Sequence, residues 1–452
     1  MATSTLESAL AEVVGAKSVT RPDRLQPYAI DGIVPKAAAS PRDIDELAGL
    51  IKLAVSEDLF VSPRGGGTMM AAGSPPERLD LVIATGRMAD ILEHEPAEMT
   101  ATVQSGITLS ALNAALAEHE QMLPLEAPAS DRATIGGILA TNANGPRRLA
   151  HGTARDRLIG VRVVDAEGAV IKGGGKVVKN VAGYDLNKLF IGSMGVLGII
   201  AEATFKLAPL PQASVAMIGA FRTLEEAMAA AHALLKIGAR PAALDLLNGR
   251  AYRAAASRAG LPGIADRDYF LAVDLAGTPK AVVRQTDQAH KAIVDGGGKG
   301  FLADDREGRE KFWRGVVDLG RSIEQPADMI TKASTLFTHL TTLVHGTEAM
   351  GESSHLDVAI DAHLPAGVLR SYWWGEGGGQ ADEAMLAGAV TTLRKATANV
   401  DGSFVVESCP TSMKKTVDVW GVPGPDVAIM RRIKEQFDPA RRLNPGRFVG
   451  GL

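Results

Sequence analysis

The chain has 452 residues, 46% of them hydrophobic and 22% charged, close to the averages of soluble globular proteins. That length exceeds one ordinary core, so two or three domains are expected, and none needs a disulfide or a metal to fold. Lys and Arg total 48 against 52 Asp and Glu, a net charge of −4 with no block of like charge, which excludes the basic footprint of a nucleic-acid binder.

The first residues lack a basic start and a continuous apolar core, so they do not read as a signal peptide. Leu6, Leu10, Val13 and Val14 recur at helical spacing instead. Ser40 and Pro41 suit the N-cap and first turn of a second helix whose apolar face is Leu47, Leu50, Ile51 and Ala54. A strand over Leu59–Ser62 runs into Arg64-Gly65-Gly66-Gly67-Thr68. Strands follow at Leu79–Ala84 and Thr100–Gln104, and Thr108 caps a helix carrying Leu109, Leu112 and Leu116. A run of apolar segments follows at 158–164, 169–172 and 195–207, and Pro209 and Pro211 end this part. The expected boundaries are a first domain over 1–212, a second over 213–405 with a Gly-rich break at 375–379, and a segment over 406–452 too short to fold alone. No apolar run reaches the roughly 18 residues of a membrane span. The sole cysteine, Cys409, permits neither an internal disulfide nor an iron–sulfur cluster on this chain alone. These features fit a cytoplasmic protein, with any membrane link peripheral at the inner face or made through a partner.

Four segments carry candidate chemistry. Consecutive glycines at 65–67, directly after a strand, let backbone amides converge on a diphosphate, and Thr68 adds a hydroxyl. It is neither a Walker loop nor a G-x-G-x-x-G fingerprint, since position 70 is Met. Alone, it reads more readily as a flexible turn. Pro128 to Gly137, with Thr134, Gly136 and Gly137, followed by Asn142, can line a flat polar ligand or form packed turns. Gly192, Gly195 and Gly198 precede Ile199 and Ile200, suiting close backbone approach or tight packing on a sheet. Lys172 to Leu186 bears lysines able to meet an anion, though a solvated loop is the commoner outcome.

In order and spacing these segments resemble the vanillyl-alcohol-oxidase (PCMH-type) FAD-binding family. The segment Gly183-Tyr184-Asp185-Leu186-Asn187-Lys188-Leu189-Phe190, the Gly192–Ile200 turn, Phe437-Asp438-Pro439 and Leu443-Asn444-Pro445-Gly446 belong to the same likeness. Within the family the chain is most similar to the FAD-binding E subunit of glycolate oxidase. The resemblance implies an α+β fold: a two-subdomain PCMH-type FAD-binding domain, an α+β cap domain over the flavin, and a C-terminal tail returning to the FAD domain. It implies FAD as cofactor. Arg64, Gly65, Gly66, Gly67 and Thr68 would take the pyrophosphate. Pro128, Thr134, Gly136, Gly137 and Asn142 would line the ribityl and ring region, Gly198, Ile199 and Ile200 the adenine half, and Asn444 would return near the flavin. It also implies partners, namely a catalytic FAD subunit and an iron–sulfur subunit of a glycolate oxidase complex.

One departure from the family pattern bears on mechanism. Its 2-hydroxy-acid dehydrogenases carry a His-x-Gly-Asp-Gly-Asn-x-His segment and a later Glu-His pair that bind a divalent metal. Here the first segment matches 362–370, keeping His363 but placing Arg370 where the second His belongs. The later pair matches Glu407-Ser408. One imidazole and one carboxylate make a poor metal site, so no metal is expected. The residues open to substrate chemistry are Arg370, Glu407 and His363. Arg370 is read either as a carboxylate anchor or, slightly favoured, as a structural partner of Glu407. His355 and His363 read as packing or surface residues, and Trp373-Trp374 as core or interface. Three functions follow: an FAD-binding subunit relaying electrons in a glycolate-oxidising complex, a self-sufficient 2-hydroxy-acid oxidoreductase, or a scaffold without flavin.

Overall fold

The structure, a computed structural model, describes residues 3–175, 185–264, 266–303, 306–321 and 325–452. The chain forms two compact units, Met1–Asn144 with Thr153–Leu210 and Val422–Leu452, and Gly145–Gly152 with Pro211–Gly421.

The first unit holds two main sheets. A parallel three-stranded sheet is ordered Ala37–Ala39, Leu81–Ala84, Val61–Arg64. Helices Thr3–Val14 and Ile44–Ser56 cover it, burying Leu6, Leu10, Leu47, Leu50 and Ile51. The sequence places the second helix's cap at Ser40, but the structure places it at Asp43. There Oδ1 accepts from the amides of Asp45 and Glu46 at 3.1 and 2.9 Å. A carboxylate bonded to two amides of the first turn also meets the positive end of the helix dipole, which a hydroxyl three residues earlier cannot match. An antiparallel five-stranded sheet is ordered Ile91–Glu95, Thr100–Gln104, Ile199–Lys206, Leu158–Val164, Val170–Gly174. Helix Leu109–Ala117 packs on it through Leu112 and Leu116, capped by Thr108 as its sequence predicts.

The tail completes this unit. After helix Val427–Phe437, Leu443 bridges in parallel to Val61. Lys434 is buried and donates from Nζ to Asp438 at 2.6 Å, to Val196 O at 2.7 Å and to Leu443 O at 2.9 Å. Asp438 in turn accepts from the amides of Arg442 and Leu443. A buried ammonium satisfied by three acceptors pins the tail to the Ser193–Gly198 turn.

The second unit is an antiparallel eight-stranded sheet. Its order is Lys299–Ala303, Ala213–Phe221, Tyr269–Gly277, Ala243–Asn248, Leu356–His363, Val368–Gly375, Met329–Ser334, Ser403–Ser408. One face packs against helices Leu224–Lys236, Pro279–Asp295, Leu340–Ser353 and Glu383–Ala398. On the other, helices Gly249–Ala259 and Arg306–Val317 bury Tyr252, Phe312 and Trp313 against Ala216, Ile218 and Phe270. Strand alternation splits the tryptophan pair, sending Trp373 into the first core and Trp374 into the second.

Two segments fall outside the expected limits of 212 and 405. Residues 145–152 belong to the second unit, where Arg147 donates to buried Asp274 at 2.8 Å and Leu149 packs on its core. Residues 406–421 do too, since Val406, Cys409, Met413 and Val419 fill the same core.

Candidate functional site

In the first unit the glycine loop, the 128–137 turn, the Met194–Ile200 turn and the tail surround one cavity of about 890 Å³, part of it open to solvent. Every residue assigned above to the cofactor lines it except Asn142: Arg64, Gly65, Gly66, Gly67, Thr68, Pro128, Thr134, Gly136, Gly137, Gly198, Ile199, Ile200 and Asn444. Asn142 instead caps helix Ile135–Thr141 in the left-handed conformation, exposed, with φ at 50°. A short amide tolerates that backbone, and this is why an Asn stands there. The lysine-bearing loop from Lys176 through Gly183 and Tyr184 lies outside the described residues.

The glycines serve the protein's own packing as well as an open cavity. A Cβ on Gly66 would sit 1.7 Å from the Arg132 carbonyl oxygen, and Gly67 has φ at +74°. The loop is therefore pressed onto the 129–134 turn, and a side chain at Gly66 would part them. Thr134 is the N-cap of helix Ile135–Thr141, its Oγ1 accepting from Gly137 N at 3.4 Å. Arg64 donates to the Pro27 carbonyl and stacks over Tyr28 at 4.9 Å.

Two cavity residues escaped the sequence reading. Ser105 is fully buried and lines the cavity, and its Oγ has no hydrogen-bond partner among the described residues. Such a group costs stability unless a ligand meets it. Arg447, 2% exposed, donates to Met70 O and Ala72 O at 2.8 and 2.5 Å, and burial pulls its pKa down to about 10. It ties the tail to the residues that follow the glycine loop. Neither residue sits in a recognisable motif; only burial singles them out. Asn444 is a stitch of the same kind: its Oδ1 accepts from Ser62 Oγ at 2.6 Å and its Nδ2 donates to Met194 O at 2.6 Å. A glycine cradle, a buried hydroxyl without a partner and a guanidinium suit a ligand with a diphosphate and many polar atoms, as FAD is.

The second unit gathers a polar cluster on the sheet face that also carries Tyr252, Phe312 and Trp313. Alternation puts Asp245, Asp361, His363, Arg370, Lys332 and Glu407 on that one face. Cross-strand register sets Asp245 opposite His363, Asp361 opposite Arg370, and Arg370 opposite Lys332. Arg370 Nη1 donates to His363 Nε2 at 2.6 Å, and His363 Nδ1 lies 2.8 Å from Asp245 Oδ2. Guanidinium has no acceptor, so Nε2 carries no proton and Nδ1–H donates to Asp245. His363 is thereby a neutral imidazole with both nitrogens engaged. Asp245, Asp361 and His363 place ligand atoms within 4.8 Å of one another. Yet the Nδ1 that would bind a cation bears a proton and the opposite nitrogen faces a guanidinium, so these residues do not suit a metal.

Arg370 Nε lies 3.8 Å from Glu407, which Arg321 and Lys332 also approach at 3.0 and 3.7 Å. Burial opposes ionisation of Glu407, but Arg370, Lys332 and Arg321 outweigh it and hold the carboxyl at about 2. Asp361 goes the other way: burial, with Asp245 beside it, pushes its carboxyl up to about 7. Arg321, Lys332, Asp245 and Asp361 were not picked out in the sequence. Two-residue spacing along strands marks a shared face but says nothing of which strands are neighbours. His355 is exposed and remote in role, 4.0 Å from Glu376.

Comparison with known proteins agrees with this architecture. The FAD binding domain family matches residues 35–174, and the family of FAD linked oxidases, C-terminal domain, matches residues 210–448. The chain is 26% identical over 423 residues to the glycolate oxidase subunit GlcD of Bacillus subtilis (strain 168), covering 92% of this chain and 89% of the other. It is 27% identical over 429 residues to a D-2-hydroxyglutarate dehydrogenase of Xanthomonas citri pv. viticola, with the same coverage of 92% and 89%. Among solved structures, p-cresol methylhydroxylase with substrate bound superposes with a TM-score of 0.80 at 16% identity, covering 98% of this chain and 96% of that one, a likeness of fold.

Proposed function

The chain belongs to the family of FAD linked oxidases, and from that premise we propose that it is the FAD-binding subunit of a complex that oxidises a short 2-hydroxy acid such as glycolate. FAD-dependent oxidoreduction is the chemistry of the family, and bound FAD would supply the acceptor for the two electrons leaving the substrate carbon. The glycine loop, Thr134 and Ser105 would hold it, with Asn444 and Arg447 fastening the tail beside the cavity. Relatives named for glycolate, D-2-hydroxyglutarate and D-lactate support the substrate class.

The observation that carries the subunit role is the Arg370–His363 hydrogen bond. A metal-dependent oxidation needs His363 to give a lone pair to a cation, and Arg370 takes that lone pair. A catalytic FAD subunit would then provide the metal-dependent site. An iron–sulfur subunit would carry electrons onward, since the one thiol here, Cys409, is buried. Among the described residues no helix is long and apolar enough to cross a membrane. The buried Ser105 hydroxyl disfavours a scaffold that has lost its flavin.

The test is the visible spectrum of the purified chain before and after anaerobic glycolate, then with partner subunits added. Flavin bands that bleach only with the partner are expected. Bleaching of the chain alone would replace the subunit role by a self-sufficient enzyme, and absent flavin bands would leave the scaffold.

A further inference from the structure

Three cations converge on one carboxylate in the second unit. Arg321, Lys332 and Arg370 all lie within 3.8 Å of Glu407, whose single negative charge they exceed. Arg148 adds a fourth positive charge to the field at Lys332. Besides Glu407, the acids that act on Arg370 are Asp361 and Asp245. Asp245 is committed to the His363 Nδ1–H, and Asp361, 1% exposed, is held toward its neutral form by burial. Like charges packed this closely repel unless a counter-anion joins them, and repulsion is stronger in a half-buried recess than in water. The recess is reachable: the Lys332 side chain keeps 35% of its surface exposed, while those of Arg370 and Arg321 keep 14% and 15%.

We propose that this face is a metal-free anion site, in which Lys332, Arg321 and Arg370 bind the carboxylate of a small 2-hydroxy acid. The guanidinium of Arg370 brings the positive charge that a divalent ion would otherwise supply, and Glu407 keeps the three cations in place. Arg370 adds charge rather than an open fork, its Nη1 being bonded to His363 and its Nε facing Glu407, and Lys332 contributes a point charge that can swing. The inference rests on the 2-hydroxy-acid class proposed above, but it concerns binding alone and needs neither flavin reduction nor a partner.

The experiment is titration calorimetry of the FAD-loaded protein with D-lactate, glycolate and redox-inert oxalate, each in excess EDTA, with glycolamide and inorganic phosphate as controls. Binding of the carboxylates in EDTA is expected, with no heat from glycolamide. Lys332→Met should raise the dissociation constant at least tenfold while flavin content and melting temperature stay put. Lys332→Gln is the second variant should Met fail to fold. Binding that appears only on adding Mn²⁺ or Zn²⁺ would overturn the proposal. So would unchanged affinity in a folded Lys332 variant, phosphate binding as tight as the carboxylates, or no heat with any carboxylate. Failure of the proposed function reads differently, as bound carboxylate with no flavin reduction even when the partner is present.

Discussion

Asn444 stands where a flavin ligand is expected, yet its side chain is spent on the protein. Replacing it with Ala removes the bond to Ser62 Oγ and the bond to Met194 O, both at 2.6 Å. Ser62 is 1% exposed, so its hydroxyl loses its acceptor without gaining water. An orphaned buried group costs about 1–3 kcal/mol, and a rotating hydroxyl sits at the low end, so the two together cost about 2–3 kcal/mol. Asn444 also has φ at 45°, where Ala is less tolerated than Asn by about 1 kcal/mol. The sum is about 3–4 kcal/mol, or a fall of about 6–16 °C in the melting temperature of a unit this size. Asn444→Gly keeps the backbone freedom and loses only the bonds, so it should melt above Asn444→Ala. Melting followed by circular dichroism, with flavin absorbance recorded on the same samples, reads both effects. The expected result is that stability and flavin occupancy fall together, because the Met194–Gly198 turn loses its anchor. An Ala variant that melts within about 2 °C of the parent but has lost its flavin would refute this and make Asn444 a direct ligand.

Ser105→Ala should separate the cofactor from the fold. Removing a buried hydroxyl that has no partner among the described residues leaves the apoprotein as stable as before or slightly more so, while the FAD dissociation constant rises several-fold; an unchanged constant would show that the hydroxyl does not face the cofactor. Asp361 predicts a pH dependence of the second unit. Its carboxyl is raised by burial from 3.8 to about 7, so the folded state holds a proton that the unfolded chain has released across that window. The native state binds more protons there, and stability falls as pH rises from about 4 to about 7. Urea melts of the parent and of Asp361→Asn at about pH 5 and about pH 8 should show the parent losing stability at the higher value and the variant losing less; equal slopes would place Asp361 among the ionised acids.

Much of the first unit was legible because its signals are local. Thr108 caps its helix within three residues, alternation over Thr100–Gln104 sets that strand, and glycines at 65–67 mark a turn wherever the chain goes next. Asp43 shows the limit even locally: Ser40 and Asp43 both suit a cap, and the choice fell to the carboxylate placed to reach two amides.

The sequence by itself determined that the chain needs more than one domain, and it carried the glycine loops, the lone cysteine and the departure at Arg370 and Ser408. Only the tertiary structure decided what those residues touch. Gly66 is a glycine because the Arg132 carbonyl, far along the chain, leaves it no room. Arg370 engages His363 because an antiparallel hairpin sets their strands side by side. Lys332 and Glu407 joined them because two later pairings in the sheet did the same. Strand alternation can be read from spacing, but strand order arises from non-local packing, and no short window of sequence carries that information.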